Sequence, residues 1–165
     1  MQYPRTIRNF NGFIDGFGYA GLMIEAKLPE LKLKTGGFRG AGMDAPIAVD
    51  LGMEAMQAEG TLAEWRPELI KMFGTRQRMT LRPTAQGEAD FNADEIVATL
   101  GGRWSVVNFA DLKPGDDVPM KLTLEIDYWR MLHNGDELFE IDVQAGKRVI
   151  GGVDQLASQR SAMGI

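Results

Sequence analysis

The sequence predicts a mainly β protein, an antiparallel β-sandwich or small barrel with one short internal helix and one short C-terminal helix. Three observations carry that expectation. Strand-length stretches alternate apolar and polar residues, most clearly 118–133 and 76–84, the period of a half-buried strand. The turn dipeptides Asp15-Gly16 and Asn134-Gly135 lie between such stretches, and these are hairpin signals. The 20 glycines in 165 residues suit a chain with many turns. At this length one domain, 1–165, is expected, large enough to bury a core without disulfide or metal.

Taken in order, Phe10, Phe13 and Ile14 before Asp15-Gly16, with Phe17 and Tyr19 after it, predict a first hairpin. Residues 22–34 read as two short strands or an interrupted edge strand, because Pro29 lacks the N–H a ladder needs. Beyond it Leu31 and Leu33 alternate with Glu30, Lys32 and Lys34. Residues 35–46 form a Gly-rich loop and 46–51 a strand. The loop glycines do not space as G-x-G-x-x-G, and a strand rather than a helix follows, so no phosphate cradle is expected. It reads instead as mobile or ordered by a partner. Residues 53–63 stay open between strand and helix. Thr61 to Glu64 looks like a capping box, but Pro67 would clash inside a helix begun there. A helix is predicted over 66–73, with Pro67 in its first turn, Leu69, Ile70, Met72 and Phe73 as its apolar face, and Gly74 as its stop.

The alternation at 76–84 puts Arg76, Arg78, Thr80 and Arg82 on one strand face, to be solvated, paired with carboxylates or met by a partner. Residues 85–95 predict a polar turn. Residues 96–107 predict a strand pair or one long strand bent at Gly101-Gly102, and 111–117 an acidic loop. In 118–133, Val118, Met120, Leu122, Leu124, Ile126, Tyr128 and Leu132 share a face that only Arg130 interrupts. A two-residue turn at Asn134-Gly135 sets Tyr128 opposite Ile141 and Ile126 opposite Val143. The other face then carries Asp127 opposite Asp142, an unfavourable pair unless wet, together with Trp129, Met131 and Leu138. Three large apolar side chains on a polar face predict a cover, from this chain or from a neighbouring subunit. Residues 153–162 predict a helix with Asp154 in its first turn and Arg160 in its last.

Function classes narrow by exclusion. Cys is absent and His133 is the only histidine, which excludes thiol nucleophiles, Cys-ligated metals and iron–sulfur clusters and leaves no His-rich metal site. No cofactor and no catalytic residue are expected, and Asp127 with Asp142 lacks the burial a carboxylate dyad needs. The net charge of −5 argues against simple nucleic-acid binding. No apolar stretch is long enough to span a membrane, and none follows Arg5 and Arg8 as a signal peptide would require; a cytoplasmic site of synthesis is expected. Residues 1–42 hold six basic and three acidic groups, against 12 and 20 in the remainder. That asymmetry would let copies pair head to tail. Trp65, Trp104 and Trp129 are the only support for a rival reading, a monomeric carbohydrate-binding β-sandwich.

Several segments, in order along the chain, resemble the major tail tube proteins of contractile-tailed phages and phage-tail-like bacteriocins. They are Asn9-Phe10-Asn11-Gly12-Phe13-Ile14-Asp15-Gly16, Lys27-Leu28-Pro29-Glu30-Leu31, Phe38-Arg39-Gly40-Ala41-Gly42-Met43-Asp44-Ala45-Pro46 and Val49-Asp50-Leu51-Gly52-Met53-Glu54. At the far end stand Asn134-Gly135, Glu140-Ile141-Asp142 and Gly152-Val153-Asp154-Gln155-Leu156. Residues 60–117 match in pattern only, and Gly151-Gly152 stands where that family often has Asn-Gly.

The resemblance implies a tail-tube fold assembling as hexameric rings that stack into a tube inside a contractile sheath, one sheet per subunit joining a shared barrel. Four strands from each of six subunits give about 24, hence a barrel roughly 48 Å across through the backbone, wide enough for duplex DNA. The implied partners are other copies of the chain, the tail sheath protein and the tape measure protein, with genomic DNA passing the lumen without specific binding. The implied location is the virion tail, after assembly in the host cytoplasm. Tube proteins of type VI secretion or bacteriocin particles share this architecture. Under this reading Glu125, Asp127, Glu140 and Asp142 would line the lumen and keep DNA sliding. Gly36, Gly37, Phe38, Arg39, Gly40, Met43 and Asp44, with the two termini, would make ring-to-ring contacts. Trp129, Met131 and Leu138 would be an inter-subunit apolar patch.

Overall fold

The computed structural model describes residues 3–165. Its strands are β1 (Thr6–Ile14), β2 (Phe17–Gly18), β3 (Met23–Lys27), β4 (Leu33–Phe38), β5 (Ile47–Met53), β6 (Met56–Leu62), β7 (Arg76–Gln86), β8 (Ala93–Phe109), β9 (Met120–His133), β10 (Asp136–Asp142), β11 (Lys147–Ile150) and β12 (Val153–Asp154). Two short helices, α1 (Pro67–Ile70) and α2 (Ala157–Met163), complete it. The mainly antiparallel β architecture is the one the alternation predicts.

The sheet is built around the hairpin of β8 and β9. Their ladder runs from Phe109 opposite Met120 to Ile96 opposite His133. On one side β7, β1 and β2 follow β8. On the other side the sheet forks: the first half of β9 pairs with β6, which carries β3, and the second half pairs with β10, followed by β11 and β12. The fork falls at Asp127, an extra residue between the pairs Ile126–Gly102 and Tyr128–Gly101. Such a bulge bends a strand and increases its twist. Here it lets one strand serve two partners on the same edge.

The bulge also exchanges the faces of β9. Met120, Leu122, Leu124 and Ile126 point into the core, but beyond Asp127 the core residue is Trp129, and Met131 packs against the same cluster. Tyr128, Arg130 and Leu132 turn outward. A second extra residue, Leu138 in β10, sets Trp129 opposite Ile141 and Tyr128 opposite Asp142. The register inferred from the turn therefore holds for only the two pairs next to it. The proposed patch of Trp129, Met131 and Leu138 is dissolved by the same shifts: Trp129 is buried against Phe139, their rings 4.7 Å apart and edge-on. The protomer's own core covers Trp129 and part of Met131, and Leu138, on the bulge, stays exposed.

Residues 56–62 are a strand, not a helix. Met56, Ala58, Gly60 and Leu62 alternate inward against β9, and that pairing overrides helix propensity and the capping pattern at Thr61. Pro67 occupies the first helical position of α1, as expected, but the helix stops at Ile70, and Phe73 is exposed rather than on the apolar face. Val153 and Asp154 form a short strand. α2 begins only at Ala157, and Asp154 instead binds Arg160 at 2.5 Å. The Asp15-Gly16 and Asn134-Gly135 turns both have two successive positive φ values, the type I′ geometry that suits strand twist.

Candidate functional site

Three surface features stand out: an arm, a charged face, and a cavity between the arm and the sheet.

The arm is the hairpin of β4 and β5, a two-stranded sheet separate from the main one. A hairpin of two strands is marginal alone in water. This one also leaves Leu33, Phe38, Ile47, Val49 and Leu51 exposed, and of its residues only Met53, at the base, packs against the core. Gly36, Gly37 and Phe38 lie within β4, so the Gly-rich loop is shorter than the sequence suggested and begins at Arg39. Within the loop, Arg39 Nε donates to the Met43 carbonyl at 3.0 Å and the Gly40 amide reaches Met43 Sδ at 3.1 Å. The tip thus satisfies part of its own bonding. Asp44 follows on the same loop, exposed.

One ion pair fixes the arm to the body. Arg148 on β11 is almost wholly buried and donates to Asp50 on β5 at 2.6 Å. Asp50 also accepts from the Gly52 amide at 2.8 Å. These two bonds, the arginine's foremost, hold the Asp50 carboxyl below its ordinary value. The residues are 98 apart in sequence, and no local pattern announces the contact. Between arm and sheet lies a cavity of about 750 Å³, walled by Leu51, Met53, Met56, Ile126, Ile141 and Arg148.

Linkage follows from that shift. A carboxylate whose folded pKa is depressed adds stability above its unfolded value, near ~3.9, and loses it as pH falls through the folded value. Asp94 and Asp154 are shifted the same way, by Asn134 and Arg160 respectively. The melting temperature should therefore fall steeply only below about pH 4, and Asp50→Asn should make that acid limb shallower. An unchanged limb in thermal melts would show that the Asp50–Arg148 pair is not formed in solution.

The charged face is the outer side of β7 to β11. Glu125, Glu140 and Asp142 lie on it, with Asp127 beside them in the bulge, so the structure brings the four proposed lumen carboxylates together. It also places basic groups among them. Asp127 pairs with Arg76. Glu140 holds Lys147 at 2.8 Å and lies 3.7 Å from Arg130, which binds Glu137 at 2.9 Å. Glu140 raises the Lys147 ammonium's pKa, and Glu137 that of the Arg130 guanidinium. Arg78 lies 5.3 Å from the Tyr128 ring centre, within cation–π range. Glu125 and Asp142 have no ion-pair partner among the described residues; Glu125 accepts from Gln57 at 2.6 Å and Asp142 from the Ala145 amide at 3.0 Å. The face is thus mixed in charge, not simply acidic. Arg130 was the signal for this: it breaks an apolar face as counted from Met120 but fits the outer face once the bulge is included.

Among the described residues no group of His, Asp and Glu could hold a metal, and no helix is long and apolar enough to cross a membrane. Trp104 and Trp129 are core residues, and Trp65 is stacked edge-on against Phe109 at 5.0 Å. The three tryptophans form no common platform for a sugar ring.

Residues 4–164 match the model of a family described as phage tail tube protein FII. The chain is 27% identical to the tail tube protein of Escherichia phage P2 over 172 aligned residues, covering all of both chains. It is also 27% identical to the major tail tube protein of Serratia phage KSP20, over 87% of this chain and 85% of that one. Among solved structures, a chain of the PVC sheath–tube complex, an extracellular contractile injection system in its extended state, superimposes with a TM-score of 0.62. Identity is 10%, over 79% of this chain and 92% of that one.

Proposed function

Because the chain belongs to the phage tail tube protein FII family, we propose that its copies close into hexameric rings and that the rings stack as the inner tube of a contractile tail. The observation that carries this reading is the arm: a hairpin with apolar side chains exposed along both strands, attached to the body chiefly through one arginine. No described residue covers these side chains, and a neighbouring copy can. The tube then sits inside the tail sheath protein, is measured by the tape measure protein and carries the genome through its bore. It assembles in the host cytoplasm and ends in the virion tail. Concentrated purified protein should form tubes visible by negative-stain electron microscopy. A protein that stays monomeric at high concentration in light scattering overturns the proposal.

The charged face is assigned to the bore. DNA slides where few free cations can take up phosphate, since each such contact releases counterions and adds salt-dependent affinity. Here Arg76, Arg130 and Lys147 are tied to carboxylates and Arg78 lies over Tyr128; Arg103, in register with Glu125, is the exposed arginine left without an ion pair among the described residues, against the two carboxylates of Glu125 and Asp142. Reversing only these two, Glu125→Lys with Asp142→Lys, leaves the ion pairs intact. It should slow genome ejection while tubes still assemble. Unaltered ejection kinetics would place this face elsewhere than on the bore.

A further inference from the structure

We infer that the end of the β8–β9 hairpin, residues 109–117 with Trp65, is the surface on which the arm of a second copy docks. The inference rests on the stacked-tube reading and adds to it the receiving surface.

The placement comes from the register. β6 runs from Met56, opposite Ile126, to Leu62, opposite Met120. The arm therefore leaves the body six rungs away from Met120, roughly 20 Å at strand rise. Moving outward along the arm leads further from that end: Asp50 meets Arg148, which stands opposite Ile141, itself opposite Trp129. The connection between β8 and β9 begins at the pair of Phe109 and Met120. Arm and connection thus leave the protomer at opposite ends. Head-to-tail stacking brings the arm of one copy to the connection of the next, and repeats without limit, as a heterologous contact does.

The chemistry of the two ends is complementary. From Lys32 to Glu54, which are bonded across the arm's base, the arm carries Lys32, Lys34 and Arg39 against Asp44, Asp50 and Glu54, and since Asp50 is already held by Arg148 its free charge is one basic group in excess. The connection carries Asp111, Asp116 and Asp117 against Lys113. None of Lys32, Lys34, Asp111, Asp116 or Asp117 has an ion-pair partner among the described residues, and all are exposed. The apolar parts match too. At the arm's tip Phe38 and Ile47 stand opposite each other, both more than half exposed. At the other end Leu112 is 71% exposed, three residues along the chain from Phe109, whose ring meets that of Trp65, and both of these are also partly open. An apolar centre with a charged rim is the ordinary plan of a specific interface, and opposite charge on the two partners sets its register.

Charge exchange tests the pairing. Lys32→Glu with Lys34→Glu, and separately Asp111→Lys with Asp117→Lys, should each raise the concentration needed for tubes by about tenfold or more. Both pairs of changes in one chain should restore it, as should mixing the two variants, since each then offers what the other needs. The absence of Cys permits a second readout: Phe38→Cys with Leu112→Cys, cross-linked in assembled tubes by a short bis-maleimide, should give covalent ladders longer than a hexamer, and neither single variant should. If the connection variant stacks normally while the arm variant does not, the arm docks elsewhere and this inference fails with the tube reading intact. If the parent protein itself forms no tubes, both fail together.

Discussion

A protomer in which residues 36–49 are replaced by Asn-Gly will fold as the parent does and will form no tubes. The replacement closes the hairpin at Thr35 and Asp50, which are already paired, through a two-residue turn of the type that suits twisted strands. It keeps the Asp50–Arg148 bond and removes Phe38, Ile47 and Val49, which are exposed. No core residue is touched, so the melting temperature should move by no more than a few degrees. Circular dichroism should be unchanged apart from the lost hairpin. Normal tubes from this variant would show that the arm has no part in stacking. An unfolded variant would show that the arm supports the body, contrary to its exposure.

The second large effect concerns Gly102, at the register shift beside the fork. A Cβ there would run into the Glu125 carbonyl, which belongs to the backbone of the paired strand. A flexible side chain could turn away; a carbonyl held in a ladder cannot. Gly102→Ala should therefore cost about 3 kcal/mol, at the upper end for overpacking. For a domain of this size that is a fall in melting temperature of about 6–12 °C. Gly101→Ala is the control: its Cβ would lie 3.3 Å from the Tyr128 Cβ, a side-chain contact on the outer face, and its effect should be much smaller. A Gly102→Ala protein that melts with the parent would mean that β8 and β9 do not approach as closely as described.

The strands, both tight turns and the start of α1 were legible because each rests on a local rule: alternation, a turn dipeptide, a proline that tolerates only the first turn. Gly101-Gly102 was legible as an irregular point for the same reason, and the ladder shifts register there within one continuous strand, although why glycine is needed depends on Glu125, across the ladder. What was not legible is what single residues do to long-range register. Asp127 and Leu138 are each one residue too many, and together they move Trp129 and Met131 into the core and Arg130 out of it. Counting by twos from Met120 cannot find this. The change of parity between Ile126 and Trp129, with an arginine between two large apolar residues, was the one trace it left. β6 was ambiguous because its alternation has to outweigh helix-forming residues, and only its partner decides. Of the site, the arm's composition was visible and its strand character partly so. The Asp50–Arg148 bond was not, since the two residues share no local pattern. The common face of the four carboxylates was legible, but their basic neighbours were seen only as unassigned arginines.

The fork in β9 has a consequence for how the chain comes off the ribosome. Leu62 pairs with Met120, 58 positions later, so the edge of β6 not taken by β3 must wait for a strand not yet made. At ~5–20 residues per second that wait lasts roughly 3–12 s. Throughout it that edge and the apolar arm are open to other nascent chains, the circumstance in which off-pathway aggregation competes with folding. Translation speed and chaperone supply should then limit the yield of soluble subunits more than the stability of the finished protein does.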